Sequence, residues 1–567
     1  MSLLAVLPRV ALAGVVIFST TLPVALRAAA THRLEPVDAA HGMVVAGHPQ
    51  AADAGVQMLR AGGSAMDAAV AVSLALGVAE PYGSGLGGRI VIVYYEAATK
   101  RVSVVHGVEA VSRALDVDAY RKLPSAGRSI GATAVCVPGL PAALHDAHQR
   151  WGRLPWADNA RPAIKLAREG FLVLPLSVKF FQTQEKKLRR FAEIGRLYLP
   201  GGKLPAAGAR LPNPDLAATL ELFAQKGPEG FYRGPVAEAI VASVRAGGGT
   251  MTLEDLAGYR ATFSEAARFT WGDAEIFTSP PPFSGGTIIQ LAMQALEGAT
   301  WPGETLRDPR NLDRVARVVQ RLYPLVQAEI GDVPDTWERY RRLTGPETTA
   351  LLRSALTTPG RPLVHVSTAM EDEGQASSTT HFAVADAEGN IACITQSTGY
   401  HFGSGIVAHG TGVVLNNWMN SLTYGDRKSP NYVAPGRRGR STTSPTLVLR
   451  GGEPVLAVGV PGGQRIPVGV LQVLLDYLAF NRPVGEAIGD TRFHVVRPAS
   501  ADDARNKLEF EYSLPVATAE ALRQLGWNPQ IEDDPEHFGG VNAIEFLPGG
   551  VKRGWADPRR TNAAAGY

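Results

Sequence analysis

Cysteine is nearly absent from this chain: Cys136 and Cys393 are the two among 567 residues. That excludes a disulfide framework and a multi-cysteine zinc site. A surplus of charge is missing too. The 56 Lys and Arg stand against 53 Asp and Glu, for a net +3, which argues against a basic nucleic-acid binder. With 45% apolar residues and so little net charge, the chain does not have the composition of a disordered one. Long hydrophobic runs are also wanting. The strongest, ALAGVVIFSTTLPVAL at residues 11–26, is too short for a comfortable membrane span. The 12 histidines show no metal-ligand spacing. No P-loop, H-E-x-x-H, EF-hand or G-x-S-x-G pattern occurs. The expectation is a chain with no cofactor, no metal, no nucleic-acid partner and no stable membrane span.

The apolar run follows Arg9 and precedes Ala28-Ala29-Ala30, the layout of a secretory leader with a small-residue cleavage site. Residues 1–30 are therefore expected to be a signal peptide or leader, and the protein secreted or periplasmic, otherwise cytoplasmic. Beyond the leader, residues 49–79 read as two helices. The first ends at Gly62-Gly63; the second, AMDAAVAVSLALGVAE, is capped by Ser64 and apolar all round, hence buried. A glycine loop, Gly83 to Gly88, leads into a β-rich run, IVIVYY. Residues 134–260 and 311–343 read as mostly helical. From Thr379 the pattern alternates: THFAVAD, a turn at Glu388-Gly389-Asn390, then IACITQS, a hairpin. Short strands are expected at VVLNN, PTLVL and PVLAVGV, then a helix over 467–480. Strands and helices in separate runs imply an α+β layered fold.

Several stretches bear on chemistry. The run Gly83-Ser84-Gly85-Leu86-Gly87-Gly88 matches G-x-G-x-x-G, but it follows a helix and opens a strand, the reverse of a dinucleotide site. At residues 371–378 a polar stretch, EDEGQASS, feeds the strand that opens with Thr379. Cleavage between Ser378 and Thr379 would make Thr379 an N-terminal nucleophile. Its freed α-amine, with a reference pKa of about 7.7–8.0, would serve as base for its own hydroxyl. The plain alternative is that Thr-Thr at a strand start reflects β-propensity. Gly459-Val460-Pro461-Gly462-Gly463-Gln464-Arg465 closes a strand and opens a helix. It is either a glycine turn or a pair of amides fit for an oxyanion hole. Ser441-Thr442-Thr443-Ser444 supplies hydroxyls, for capping or for a ligand.

Taken in order, the blocks GGSAMDAAVAVSLALGVAEP, GSGLGG, AVCVPGLPAAL, GPEGFYRGPVAEAI, MTLEDLAGYR, PPPFSGG, TTHFAVADAEGN, LNNWMN, TSPTLVL, VGVPGGQRI and ADPRRTNAAAGY resemble the γ-glutamyltranspeptidase family of N-terminal-nucleophile hydrolases. The resemblance spans roughly residues 38–567. It implies a four-layer αββα sandwich cut from one precursor into a helix-rich large subunit, 31–378, and a small catalytic subunit, 379–567. It implies catalytic roles for Thr379, for Ser397 as the hydroxyl beside the nucleophile, and for Gly462 and Gly463 as the oxyanion hole. Ser441 and Thr442 fall where the family binds the substrate carboxylate.

Other family positions depart. The carboxylate-binding Arg of an R-E-x-A-P block falls on Val108, in Val108-Glu109-Ala110-Val111-Ser112. A substrate-contacting Asn falls on Gly399, and the side chains that hold the ammonium fall on Trp418 and Ser421. Two other cations, Arg89 and Arg113, remain for an acid group of the substrate, unless each is a solvated surface residue. The resemblance thus implies a small-molecule acyl substrate that is not glutamyl. Related enzymes take glutaryl side chains or oxo-acid amides, and some in antibiotic biosynthesis are thought to cleave a C–C bond. The alternatives are a γ-glutamyltransferase or glutathione hydrolase, and a non-catalytic homologue.

Overall fold

The computed structural model describes residues 34–357, 377–496, 506–532 and 535–567. The leader, and the polar stretch before the nucleophile up to residue 376, lie outside them.

Two seven-stranded sheets stack face to face. The first runs Ala563–Gly566, Met43–Ala46, Ser377–Ala385, Ile391–Tyr400, Arg89–Glu96, Arg101–Gly107 and Thr262–Glu265. The second runs Val37–Ala39, Lys552–Ala556, Asn542–Phe546, Glu453–Gly459, Thr446–Arg450, Ala274–Thr278 and Ala267–Trp271. All neighbours in both pair antiparallel. Period-two alternation sorts the side chains by layer. Along the strand that carries Thr379, Phe382 and Val384 join a core shared with the helices Pro49–Arg60, Ala65–Ala79 and Trp156–Glu169. Ala383 and Ala385 face Val91, Val93, Leu447 and Ala457 between the sheets. On the far side, Val448, Leu456 and Val458 meet the helices Gly285–Leu296, Pro309–Glu329 and Ile466–Leu478. The layers are helix, sheet, sheet, helix: the expected four-layer sandwich. Among the described residues no helix is long and apolar enough to cross a membrane.

The helix expected to be buried all round is so: of Ala65–Ala79, all but Gly77 are buried. It starts with a reciprocal cap, Ser64 and Asp67 each bonding the other's backbone N–H. The glycine loop that follows packs backbone against backbone. A Cβ at Gly87 would overlap Val414 O, and one at Gly88 would overlap Ser397 O, so the run is a close-packing device for this sheet. The hairpin, the strands at PTLVL and PVLAVGV and the helix after Arg465 form where expected. Two readings are corrected. VVLNN is no strand; Val414 and Leu415 make isolated bridges to Val407 and Gly87, because the side chains of Asn416 and Asn417 take up backbone groups of other segments instead. The helical run over 311–343 breaks between Glu329 and Thr336.

Candidate active site

Thr379 sits where the register of the nucleophile strand slips. Ser378 pairs with Gly399 and Thr380 with Gln396, so Thr379 opposes two residues, Ser397 and Thr398. Such a bulge re-aims a side chain. The Thr379 hydroxyl donates to Ser397 Oγ at 3.2 Å. Ser397 Oγ in turn donates to the Ser378 carbonyl at 2.5 Å and accepts from Gly399 N at 3.1 Å. One hydroxyl therefore touches both the nucleophile and the carbonyl of the bond before it.

The backbone here is held from below. Arg560 Nη1 donates to the Thr379 carbonyl at 3.1 Å. The next hydroxyl, on Thr380, donates to Glu80 at the end of the buried helix. Burial raises the Glu80 carboxyl above its usual range, against the pull of Thr380 and Arg560. His381, the third residue of the Thr-Thr-His block, lies in the interior with Thr395 Oγ1 2.9 Å from Nδ1. Burial pushes its pKa down to about 3, so it is a neutral core residue.

Above Thr379 lies a cavity of about 120 Å³. Gly462 and Gly463 line it at the turn between the strand Glu453–Gly459 and the helix Ile466–Leu478. The φ of +138° at Gly462 suits glycine alone, and the +58° at Gly463 lies in the left-handed region that favours it. The turn is tied down through its carbonyls: Gly462 O accepts from Arg465 N at 3.1 Å and Gly463 O from Thr442 Oγ1 at 2.8 Å. Ser441, Thr442, Trp418 and Ser421 also line the cavity. The Ser441 segment is anchored by its carbonyl, which accepts from Ser284 N at 2.7 Å.

The remaining expected residues fall elsewhere. Val108 is fully buried in the core between the sheets and does not line the cavity. Gly399 does not line it either: at φ +108° it packs so closely that a Cβ would overlap Asn417 Oδ1. Arg89 is no surface residue. It is 1% exposed, donates to Glu109 Oε1 at 2.5 Å and lies behind Trp418 rather than in the cavity. Arg113 is exposed, its backbone N–H bonded to Asp255.

The structure adds lining residues that motif reading passed over: Arg440, Arg465, Tyr323, Tyr400, Asn420 and Asn431. Arg440 Nη1 donates to the carbonyls of Gln327 and Ile330 at 2.8 and 3.1 Å. Arg465 Nη2 pairs with Glu509 at 2.6 Å. Arg440 abuts the Ser441 run and Arg465 is the last residue of the quoted glycine turn, so both stood at motifs without being singled out.

The chain is similar to known proteins along most of its length. The family model for γ-glutamyltranspeptidase matches residues 51–567. A glutathione hydrolase proenzyme of Pseudomonas aeruginosa is 30% identical over 91% of this chain and 93% of its own. The acylase ACY 1 proenzyme of a Pseudomonas species is 31% identical over 94% and 95%. The crystal structure of cephalosporin acylase from Bacillus halodurans superposes with a TM-score of 0.83 at 26% identity, covering 94% of this chain and 97% of that one. On the match of the family model and the likeness in fold, the chain belongs to the γ-glutamyltranspeptidase family and is an enzyme of the N-terminal-nucleophile hydrolase type.

Proposed function

We propose that this protein is a self-cleaving N-terminal-threonine hydrolase whose donor is an acidic acyl compound without an α-ammonium group. In maturation the Thr379 hydroxyl attacks the Ser378 carbonyl carbon, the peptide nitrogen leaves, and the resulting ester is opened by water. The products are a carboxylate on Ser378 and a free amine on Thr379. Ser397, bonded to both the hydroxyl and that carbonyl, steadies the two reacting groups. In turnover the amine takes the proton from Thr379 Oγ1 as the hydroxyl attacks the donor carbonyl. The amides of Gly462 and Gly463 receive the oxyanion; the bond to the leaving group then breaks as that group takes the proton held by the Thr379 amine, leaving an acyl ester on Thr379 Oγ1, and water opens the ester to release the acid and restore the hydroxyl.

The observation that carries the substrate reading is the charge of the lining. Arg440 and Arg465 line the cavity with Thr379, and no Asp or Glu is among the described lining residues. An α-ammonium brought into a desolvated site requires an anion or several acceptors. A donor carboxylate finds the Ser441 hydroxyl and, on the same wall, the guanidinium groups of Arg440 and Arg465, which share part of their donors with Gln327, Ile330 and Glu509. Trp418, Tyr323, Val326 and Ile288 give the rest an apolar, partly aromatic wall. A glutaryl or oxo-acid amide fits this description, as does an unsaturated biosynthetic intermediate cut at a C–C bond. That both an acylase and a cephalosporin acylase lie among the similar proteins supports the same reading.

The test compares kcat/KM for glutathione with that for deaminated or oxo-acid analogues of equal size, on protein whose second fragment begins at Thr379 by N-terminal sequencing. The analogues should be preferred. A preference for glutathione of about tenfold, equal to about 1.4 kcal/mol of transition-state binding, would overturn the substrate reading. Thr379→Ala should remain a single chain; cleavage before residue 379 in that variant would overturn the nucleophile.

A further inference from the structure

We propose that Arg89 is a positioning residue for donor selection: from behind the cavity it holds the Trp418 indole as a wall and engages the π density that an ammonium would otherwise use. This deepens the function proposed above and rests on the cavity being the acyl site.

The Arg89 guanidinium carbon lies 3.2 Å from the centroid of the Trp418 ring. In a desolvated place such a stack is at its strongest, and the flat guanidinium suits it better than an ammonium does. Arg89 Nη2 is bonded to Glu109 Oε1. Its Nε and Nη1 have no hydrogen-bond partner among the described residues, nor has Trp418 Nε1. A buried guanidinium with one ion pair and one aromatic face is oriented by those two contacts alone.

The pair also stands close behind Ser421. A Cβ on Gly439 would meet Ser421 Oγ at 2.5 Å and Glu109 Oε1 at 2.9 Å. Ser421 Oγ donates to the Trp418 carbonyl at 2.8 Å and closes the turn that presents both residues to the cavity. So an Arg–Glu pair underlies both Trp418 and Ser421, and the stack sets where the indole stands. An ammonium approaching Trp418 from the cavity meets a ring whose π density is already engaged by the guanidinium, so the indole offers it little cation–π attraction. Withholding a favourable contact from the wrong donor is a means of selecting against it.

The test uses full-length protein and two variants. Arg89→Met with Glu109→Gln removes both charges at similar volume, a change that buried ion pairs often tolerate. Arg89→Lys keeps Glu109 paired but loses the planar stack. Cleavage before Thr379 reports folding in each. The substrates are glutaryl-p-nitroanilide and γ-glutamyl-p-nitroanilide, which share a leaving group. In the double variant KM for the glutaryl donor should rise about tenfold with kcat little changed, and the ratio of kcat/KM values should move about tenfold toward the γ-glutamyl donor. Arg89→Lys should raise KM severalfold in the same direction. A cleaved double variant with unchanged KM and ratio would overturn the proposal. If that variant is not cleaved, unchanged values in Arg89→Lys would do so. The wild-type ratio tests the proposed function separately, because Arg89 is judged only by the change between proteins.

Discussion

Ser397 is the residue on which the site turns. Its hydroxyl has one proton to give and gives it to the Ser378 carbonyl, while accepting from Thr379 and from Gly399 N. Ser397→Ala removes the donor to the carbonyl that must become an oxyanion in cleavage. Loss of one such donor costs on the order of 10²–10³ in rate. Maturation of Ser397→Ala, followed by the appearance of the two fragments on a denaturing gel, should slow by that factor; an unchanged rate would show that another group holds the carbonyl. Gly399 is constrained by shape. Its φ of +108° and its contact with Asn417 Oδ1 leave no room for a methyl group. Gly399→Ala should lower stability by about 2 kcal/mol or more, read as a shifted denaturation midpoint. Thr379, Ser397, Gly462 and Gly463 stood out in the sequence through the motif blocks. The position of Arg89 did not, because burial and stacking depend on what the loop at Trp418 does, far along the chain.

Among the elements, the buried helix Ala65–Ala79 is the best determined. Asp67, which reciprocates the Ser64 cap, also accepts from Arg153 N and Leu154 N, at 2.8 and 3.1 Å, and from Asn159 Nδ2 at 3.1 Å, with His148 Nε2 at 3.0 Å. Burial alone would raise its carboxyl, but the bonds from His148, Ser64 and Arg153 outweigh burial and hold the pKa at about 2. The folded value is below the ordinary 3.8, so this stabilisation is complete above pH 3.8 and is lost as pH falls through about 2. Asp67→Asn should cost roughly 2 kcal/mol at neutral pH, through unmatched donors, and should flatten the acid limb of the stability curve. Urea midpoints at neutral and acid pH measure both effects. The cap and the apolar pattern made this helix legible from sequence. The segment VVLNN misled, because β-branched residues favour a strand only where a sheet edge is free to receive them, and here the asparagine side chains bind other backbone instead.

At the scale of the whole molecule, the strands before and after the proposed cut are interleaved. In the first sheet Met43–Ala46 lies between Ala563–Gly566 and the nucleophile strand, and Arg89–Glu96 pairs with Ile391–Tyr400. In the second, Ala274–Thr278 pairs with Thr446–Arg450. Cleavage before Thr379 would break one peptide bond and none of these ladders. The mature protein should therefore elute from size exclusion as one particle and separate into two chains only in denaturant. Elution of a free small fragment under native conditions would contradict the interleaving.

The sequence by itself determined the α+β class, the hairpin that carries Thr379 and the glycine turn at Gly462 and Gly463, which rest on period, capping and local glycine geometry, all of which act between near neighbours in the chain. The family and its four-layer sandwich were legible through the resemblance of the motif blocks. The tertiary structure alone decided the composition of the cavity. Arg440 and Arg465 were drawn to its wall, Val108 into the core and Arg89 behind Trp418. Where a charged side chain comes to rest is set by desolvation and by partners brought from distant segments, and no spacing along a single chain encodes that.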